Sequence, residues 1–259
     1  MLEVKNVSKT FRGGVLQNRR TEAVKNVSFT LEPGRTLGIM GNSGCGKTTL
    51  SRMVMGLIPP DKGEVILNGM NPAALSGRER KQFCRKVQMV FQNPGTSLDP
   101  SRKIRYSLLE PMRLQRLYTP EERLDRLREL LKLVGLSEAL LDRYPHEISG
   151  GECQRLVICR SLTLEPELLV LDEPTSMLDV SVQAHILTLL KDLQKELKLS
   201  YLFISHNLDV LAWISHDLAV MRDGSFVETG SVEQVVKRPQ HAYTRQLLDA
   251  FSGKETGIE

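Results

Sequence analysis

The sequence is short of cysteine, aromatic residues and long apolar runs. Four cysteines (Cys45, Cys84, Cys153, Cys159) occur in 259 residues. None of them has metal-ligand spacing, and a chain of this size does not need a disulfide framework. A reduced, cytosolic protein is the expectation. No apolar stretch approaches the ~18 residues of a membrane span. Met1–Lys9 lacks the basic-then-apolar pattern of a secretory signal. An excess of one charge is also nearly missing: 35 Lys and Arg stand against 31 Asp and Glu, a net charge of +4. An anionic ligand or an acidic membrane surface fits that balance, and nucleic acid is not demanded. Internal repeats and low-complexity segments are absent, and 41% hydrophobic with 25% charged residues is an ordinary globular composition.

What is present alternates. Leu2–Val7 and Val24–Leu31 read as strands, with Gly13–Glu22 between them as a hairpin loop or short insertion. Thr36–Met40 suits a buried strand. A glycine-rich turn leads to a helix predicted from Lys47 to about Leu57, and Glu64–Asn68 and Val87–Phe91 read as further strands. The pattern then becomes helical from about Arg85 to Leu164. Thr119-Pro120-Glu121-Glu122 is a helix start, with Thr as cap and Glu three residues on. A second helix is expected over Gly151–Leu164. Leu168–Leu171 is a strand, Val180–Leu197 a long amphipathic helix, and Tyr201–Ile204, Leu218–Met221 and Ser225–Glu228 are strands. Ser231–Val236 and Ala242–Phe251 read as tail helices. Strands alternating with helices imply an α/β fold with a mostly parallel sheet, an N-terminal antiparallel part and a helical insert.

Two segments carry recognisable chemistry. Gly41-Asn42-Ser43-Gly44-Cys45-Gly46-Lys47-Thr48 follows a predicted strand, opens a predicted helix and fits the phosphate-loop pattern. Glycines allow successive N–H groups to converge on an anion, and the helix N-terminus adds a positive dipole end. Lys47 would reach the β- and γ-phosphates, and the Thr48 hydroxyl would hold Mg²⁺. By composition alone the pattern arises on the order of once per hundred chains of this length. Leu168–Glu173 is an apolar strand ending in two carboxylates. Beside a phosphate loop, Asp172 would hold Mg²⁺ through water and Glu173 would act as general base on the attacking water. Ile148-Ser149-Gly150-Gly151-Glu152, taken alone, reads as a loop and helix cap. The basic run Arg78–Lys86 reads as a solvated helix face.

The order phosphate loop, Gln92, Ile148–Glu152, Asp172-Glu173, Ser176-Met177-Leu178-Asp179 and His206 resembles the ATP-binding cassette (ABC) ATPases: Walker A, Q-loop, signature, Walker B, D-loop and H-loop, over nearly the whole chain. The resemblance implies a P-loop NTPase core in residues 1–90 and 165–230, a helical signature subdomain in 91–164 and tail helices in 231–259. It places Phe11 against adenine and Gly41 to Thr49 around the phosphates of ATP. Gln92 would touch Mg²⁺ and the attacking water. Ser149, Gly150 and Gly151, with Glu152 where the family usually has glutamine, would bind the γ-phosphate held by a second subunit. Asp179 would link the two sites, and His206 would orient Glu173 and the water.

The stretch Gln92–Pro100 and the tail Arg238–Leu247 resemble the oligopeptide, dipeptide and nickel importer branch, with Ala242 where that branch usually has proline. The shortness of the tail tilts the expectation toward nickel. The implied partners are two integral membrane permease subunits and a second, related ATPase, a heterodimer being expected over a homodimer. An extracytoplasmic binding protein would act indirectly. The implied place is peripheral, on the cytoplasmic face of the inner membrane. A soluble ABC switch that moves nothing is the alternative, and a DNA-binding ABC ATPase gains little support from the mild charge.

Overall fold

The structure is a computed structural model and describes residues 1–12 and 20–251. The chain divides into two compact units. The first joins Met1–Ser76 to the segment that starts at Ser200, and the second is Gly77–Leu199.

In the first unit an antiparallel sheet has the order β2-β1-β4, with β1 Leu2–Arg12, β2 Arg20–Leu31 and β4 Lys62–Leu67. Both β1 and β2 run longer than their alternation predicts. The register shifts along the β1–β2 pair, and Asn6 and Asn26 take left-handed φ values of 50° and 49°. Such bulges break a period of two, so the reading of β1 stops at Val7. Of the predicted loop Gly13–Glu22, residues 20–22 belong to β2, and 13–19 lie outside the described residues.

The same unit contains four strands in the order β7-β3-β8-β9. They are β3 Thr36–Met40, β7 Ser200–Ile204, β8 Asp217–Arg222 and β9 Ser225–Ser231. β3 is parallel to both β7 and β8, while β9 returns antiparallel. Every residue of β3 is buried, as expected for a central strand covered on both faces. Helix α1, Lys47–Val54, follows β3. It stops three residues short of the predicted Leu57 because Gly56 turns to φ 63°, the usual way a helix is ended. Short helices α7 Leu208–Ile214, α8 Val232–Lys237 and α9 Ala242–Phe251 complete this unit.

The second unit is mainly helical. It holds α2 Gly77–Lys86, α3 Ile104–Leu114, α4 Pro120–Leu133, α5 Gly150–Leu162 and α6 Val180–Leu197. Its parallel strands are β5 Val87–Val90 and β6 Leu168–Asp172. α4 begins on the expected reciprocal cap: Thr119 Oγ1 accepts from Glu122 N at 3.3 Å, and Thr119 N donates to Glu122 Oε2 at 2.7 Å. α2 buries Phe83 and little else, so its solvated-face reading holds. α3 carries Pro111 in its interior, which hides it from a helix reading. Among the described residues no helix is long and apolar enough to cross a membrane.

Candidate active site

Within the first unit, the loop Gly41–Gly46 joins buried β3 to α1, so its backbone is held at both ends. Gly46 caps α1 with φ 113°, and a Cβ there would lie 2.2 Å from Ala23 O; only glycine serves at this corner. Lys47 is 8% exposed. Its Nζ donates to Gly41 O at 2.6 Å and Asn42 O at 2.9 Å, and lies 3.8 Å from Cys45 Sγ. A buried cation bonded to neutral acceptors is poised to attract an anion.

The N-terminus of α1 differs from those of α4, α5 and α6. Those three are closed by the side chains of Thr119, Ser149 and Asp179. α1 has no side-chain cap and no acidic residue in its first turn. Its leading N–H groups and dipole end are thus arranged for an external acceptor. Phosphates fit this donor set. Ser43, Gly44 and Thr48 are exposed beside it, and Thr49 is half-buried.

Phe11 stands opposite Thr21 on the β1–β2 pair and is 44% exposed, so its ring is open to stacking. His206 is exposed directly after β7. Its backbone neighbours are fixed: Ser205 Oγ accepts from Asn207 N at 3.0 Å, and Asn207 Oδ1 caps α7 by accepting from Asp209 N at 2.9 Å.

The second unit holds the other predicted residues. Gln92 and Glu173 meet, the Gln92 amide donating to Glu173 Oε2 at 3.0 Å. They are 81 residues apart in sequence, so the fold, not local order, brings them together. Asp172 ends β6, and Glu173 sits at φ 49°, an uncommon conformation for a side chain of this kind and one that gathers at functional turns. Ser176 Oγ and N both donate to Glu173 O, at 3.1 and 3.3 Å, closing the turn that holds it. The hydroxyl of Thr48 and the carboxylate of Asp172 are hard oxygen donors of the kind Mg²⁺ selects. Asp179 caps α6 through Val182 N at 2.9 Å.

Ser149 and Glu152 form a reciprocal cap on α5. Glu152 N donates to Ser149 Oγ at 3.3 Å; Ser149 N and Oγ donate to Glu152 Oε2 at 2.9 and 2.8 Å. These bonds hold the Glu152 carboxyl below its ordinary range, Ser149 N–H contributing most. The sign follows: the cap is full above the usual carboxylate pKa and is lost as pH falls through the lowered one. Glu152→Gln is therefore expected to flatten the acid side of a plot of Tm against pH, measured by thermal melts from neutral pH downward. Equal acid slopes in the two proteins would sink that assignment. A cleft of about 570 Å³ opens beside this cap, with Arg143, Arg155 and His185 in its lining. Arg143 and Arg155, each six residues from Ser149, were not singled out in the sequence; the fold brings them to the lining of this cleft.

Comparison with known proteins places the chain among relatives of one family. The family profile described as "ABC transporter" matches residues 24–176. The oligopeptide transport ATP-binding protein AppF of Bacillus subtilis (strain 168) is 43% identical over 255 residues, covering 96% of this chain and 78% of that one. The dipeptide transport ATP-binding protein DppF of Haemophilus influenzae is 43% identical over 239 residues, covering 92% of this chain and 73% of that one. A dimeric post-hydrolysis structure of the ATP-binding cassette MJ0796, bound to ADP and Pi, superposes with a TM-score of 0.79 at 29% identity, covering 90% of this chain and 99% of that one.

Proposed function

The chain belongs to the ABC transporter ATP-binding family, and from that premise we propose that it powers uptake of oligopeptides or dipeptides across the cytoplasmic membrane. As a member of the family it binds ATP and couples ATP hydrolysis to transport, on a P-loop NTPase core with an antiparallel N-terminal sheet. The observation that supports peptide as cargo is the 43% identity to AppF and DppF over 96% and 92% of this chain; their names say oligopeptide and dipeptide transport. That identity weighs more than the short tail, which pointed to nickel.

The proposed roles go residue by residue. Gly41 to Thr49 and the α1 N-terminus take the ATP phosphates, Lys47 bonds the β- and γ-phosphates, and Phe11 stacks on adenine. When bound, Mg²⁺ neutralises phosphate charge, held by Thr48, Gln92 and Asp172. Glu173 accepts the proton of the attacking water. Gln92, already bonded to Glu173, orients that water and the base together, and His206 helps place both. Ser149, Gly150 and Gly151, with Glu152, face the γ-phosphate held by a second cassette, where engagement by the Ser149 hydroxyl displaces its bond to Glu152. Asp179 links the two sites. The core is read as 1–90 with 165–230, the signature subdomain as 91–164 and the tail as 231–259. A related ATPase completes the pair, two permease subunits carry the stroke, and a binding protein outside delivers cargo. That assembly works at the inner face of the membrane.

The test is uptake in cells lacking the gene, complemented by wild type or Glu173→Gln. Labelled dipeptide, labelled oligopeptide and labelled nickel are offered in parallel. Peptide uptake that depends on wild type and fails with the variant is the expected result. Uptake of nickel alone would replace the cargo assignment. No change in any of the three would remove the importer reading for these cargoes.

A further inference from the structure

Within the second unit, Glu173 is held in a conformation that its own sequence opposes. It sits at φ 49°, and the next residue is Pro174. Proline pushes the residue before it toward extended backbone. A left-handed glutamate at this place persists when its surroundings over-determine it. Part of that support is local. Ser176 closes the turn on Glu173 O, and Leu178 N donates to Thr175 O at 3.2 Å. These bonds shape the turn without fixing it to a neighbouring element.

Gln183 supplies such a tie. Its side-chain amide, on the first turn of α6, donates to Thr175 Oγ1 at 3.0 Å. Thr175 is 3% exposed, so water does not replace that partner, and a buried hydroxyl left unpaired costs free energy. The helix end is a firm anchor. Asp179 caps it, and Gln183 N donates to Asp179 O at 2.8 Å. Val182 packs so closely on α5 that a Cβ at Gly151 would lie 2.8 Å from its Cγ1. Packing alone does not explain the pair: a valine at 175 would fill the same space, and α6 needs no bond to Thr175 in order to form. The bond does fix a point two residues from Glu173, on the turn that carries its carboxylate.

We propose that Gln183 is a positioning residue for ATP hydrolysis: through Thr175 it holds the turn that aims the Glu173 carboxylate at the attacking water. The proposal rests on the reading of Glu173 as the general base. A small displacement of a positioned group slows the chemical step. Loss of the tie therefore shows in turnover and not in ATP binding.

The test measures phosphate release by the assembled transporter over a range of ATP concentrations. Gln183→Met keeps length without the amide, and Thr175→Val keeps shape without the hydroxyl, so each removes one end of the bond. Each is expected to lower kcat about fivefold, the loss of one neutral hydrogen bond, with KM for ATP unchanged. Thr175→Ser, which keeps the hydroxyl, should recover most of the rate lost in Thr175→Val. Lys195→Ala, on the exposed face of α6, should behave as wild type. The deciding comparison is made in the Glu173→Gln background. A residue that acts by aiming the base has nothing left to aim there, so adding Gln183→Met should barely change the residual rate. A residue that only stabilises the subunit would lower it by the same factor as before. Wild-type kcat in Gln183→Met, a raised KM with kcat unchanged, or an undiminished loss in the Glu173→Gln background would overturn the proposal. If Thr175→Val fails to fold, the Gln183→Met measurements decide alone. If Glu173→Gln releases phosphate at the wild-type rate, the base reading fails and the Gln183 proposal with it. If Glu173→Gln is slow and Gln183→Met is normal, only the Gln183 proposal falls.

Discussion

Glu173→Gln is expected to slow ATP turnover by about 10²–10⁴-fold, the usual contribution of a positioned general base, while ATP binding persists. The structure gives reasons for both halves of that result. The amide of glutamine has almost the shape of the carboxylate, and its oxygen can still accept from the Gln92 amide, now at 3.0 Å from Glu173 Oε2. The left-handed backbone at 173 costs glutamate and glutamine alike. The fold and the Gln92 contact therefore survive, and the ability to take a proton does not. Phosphate release from the assembled transporter, with ATP-dependent pairing of cassettes followed by size-exclusion chromatography, separates the steps. Slow release with persistent pairing is the expected outcome, and wild-type release would remove Glu173 from the role of base.

Lys47→Ala is expected to act earlier, weakening ATP affinity by about 10- to 10²-fold. A charge-assisted hydrogen bond contributes about 1.5–3 kcal/mol, and 3 kcal/mol corresponds to roughly 10² in affinity. Lys47 also braces the loop from within through Gly41 O and Asn42 O, so its removal loosens the binding surface as well as deleting a charge. Arginine is no substitute, because the ammonium sits in a buried pocket with two carbonyl acceptors and a wider planar fork does not match it. Titration with ATP measures the loss directly. Retained affinity would mean that phosphate is bound elsewhere.

Legibility from sequence followed physical locality. The helix start at Thr119 and the strands Thr36–Met40 and Leu168–Leu171 were readable because caps and short apolar runs act over a few residues. The phosphate loop was readable because glycine spacing, lysine and hydroxyl must be contiguous to make one anion cradle. The elements that escaped depend on more distant causes. α3 hides behind Pro111, and β1 runs on past Val7 through bulges that only its partner strand defines. The Gln92–Glu173 bond joins residues that no local pattern connects; only their places in the family's motif order brought them to the same site.

The bare N-terminus of α1 makes the endurance of this chain a gauge of nucleotide supply. Helices α4, α5 and α6 carry their own side-chain caps, whereas α1, like α3, has none. Ligand that binds only the folded state stabilises it by mass action, about 1.4 kcal/mol for each tenfold rise of ATP beyond its dissociation constant. Thermal melts at rising ATP are therefore expected to show a rising Tm for the folded subunit.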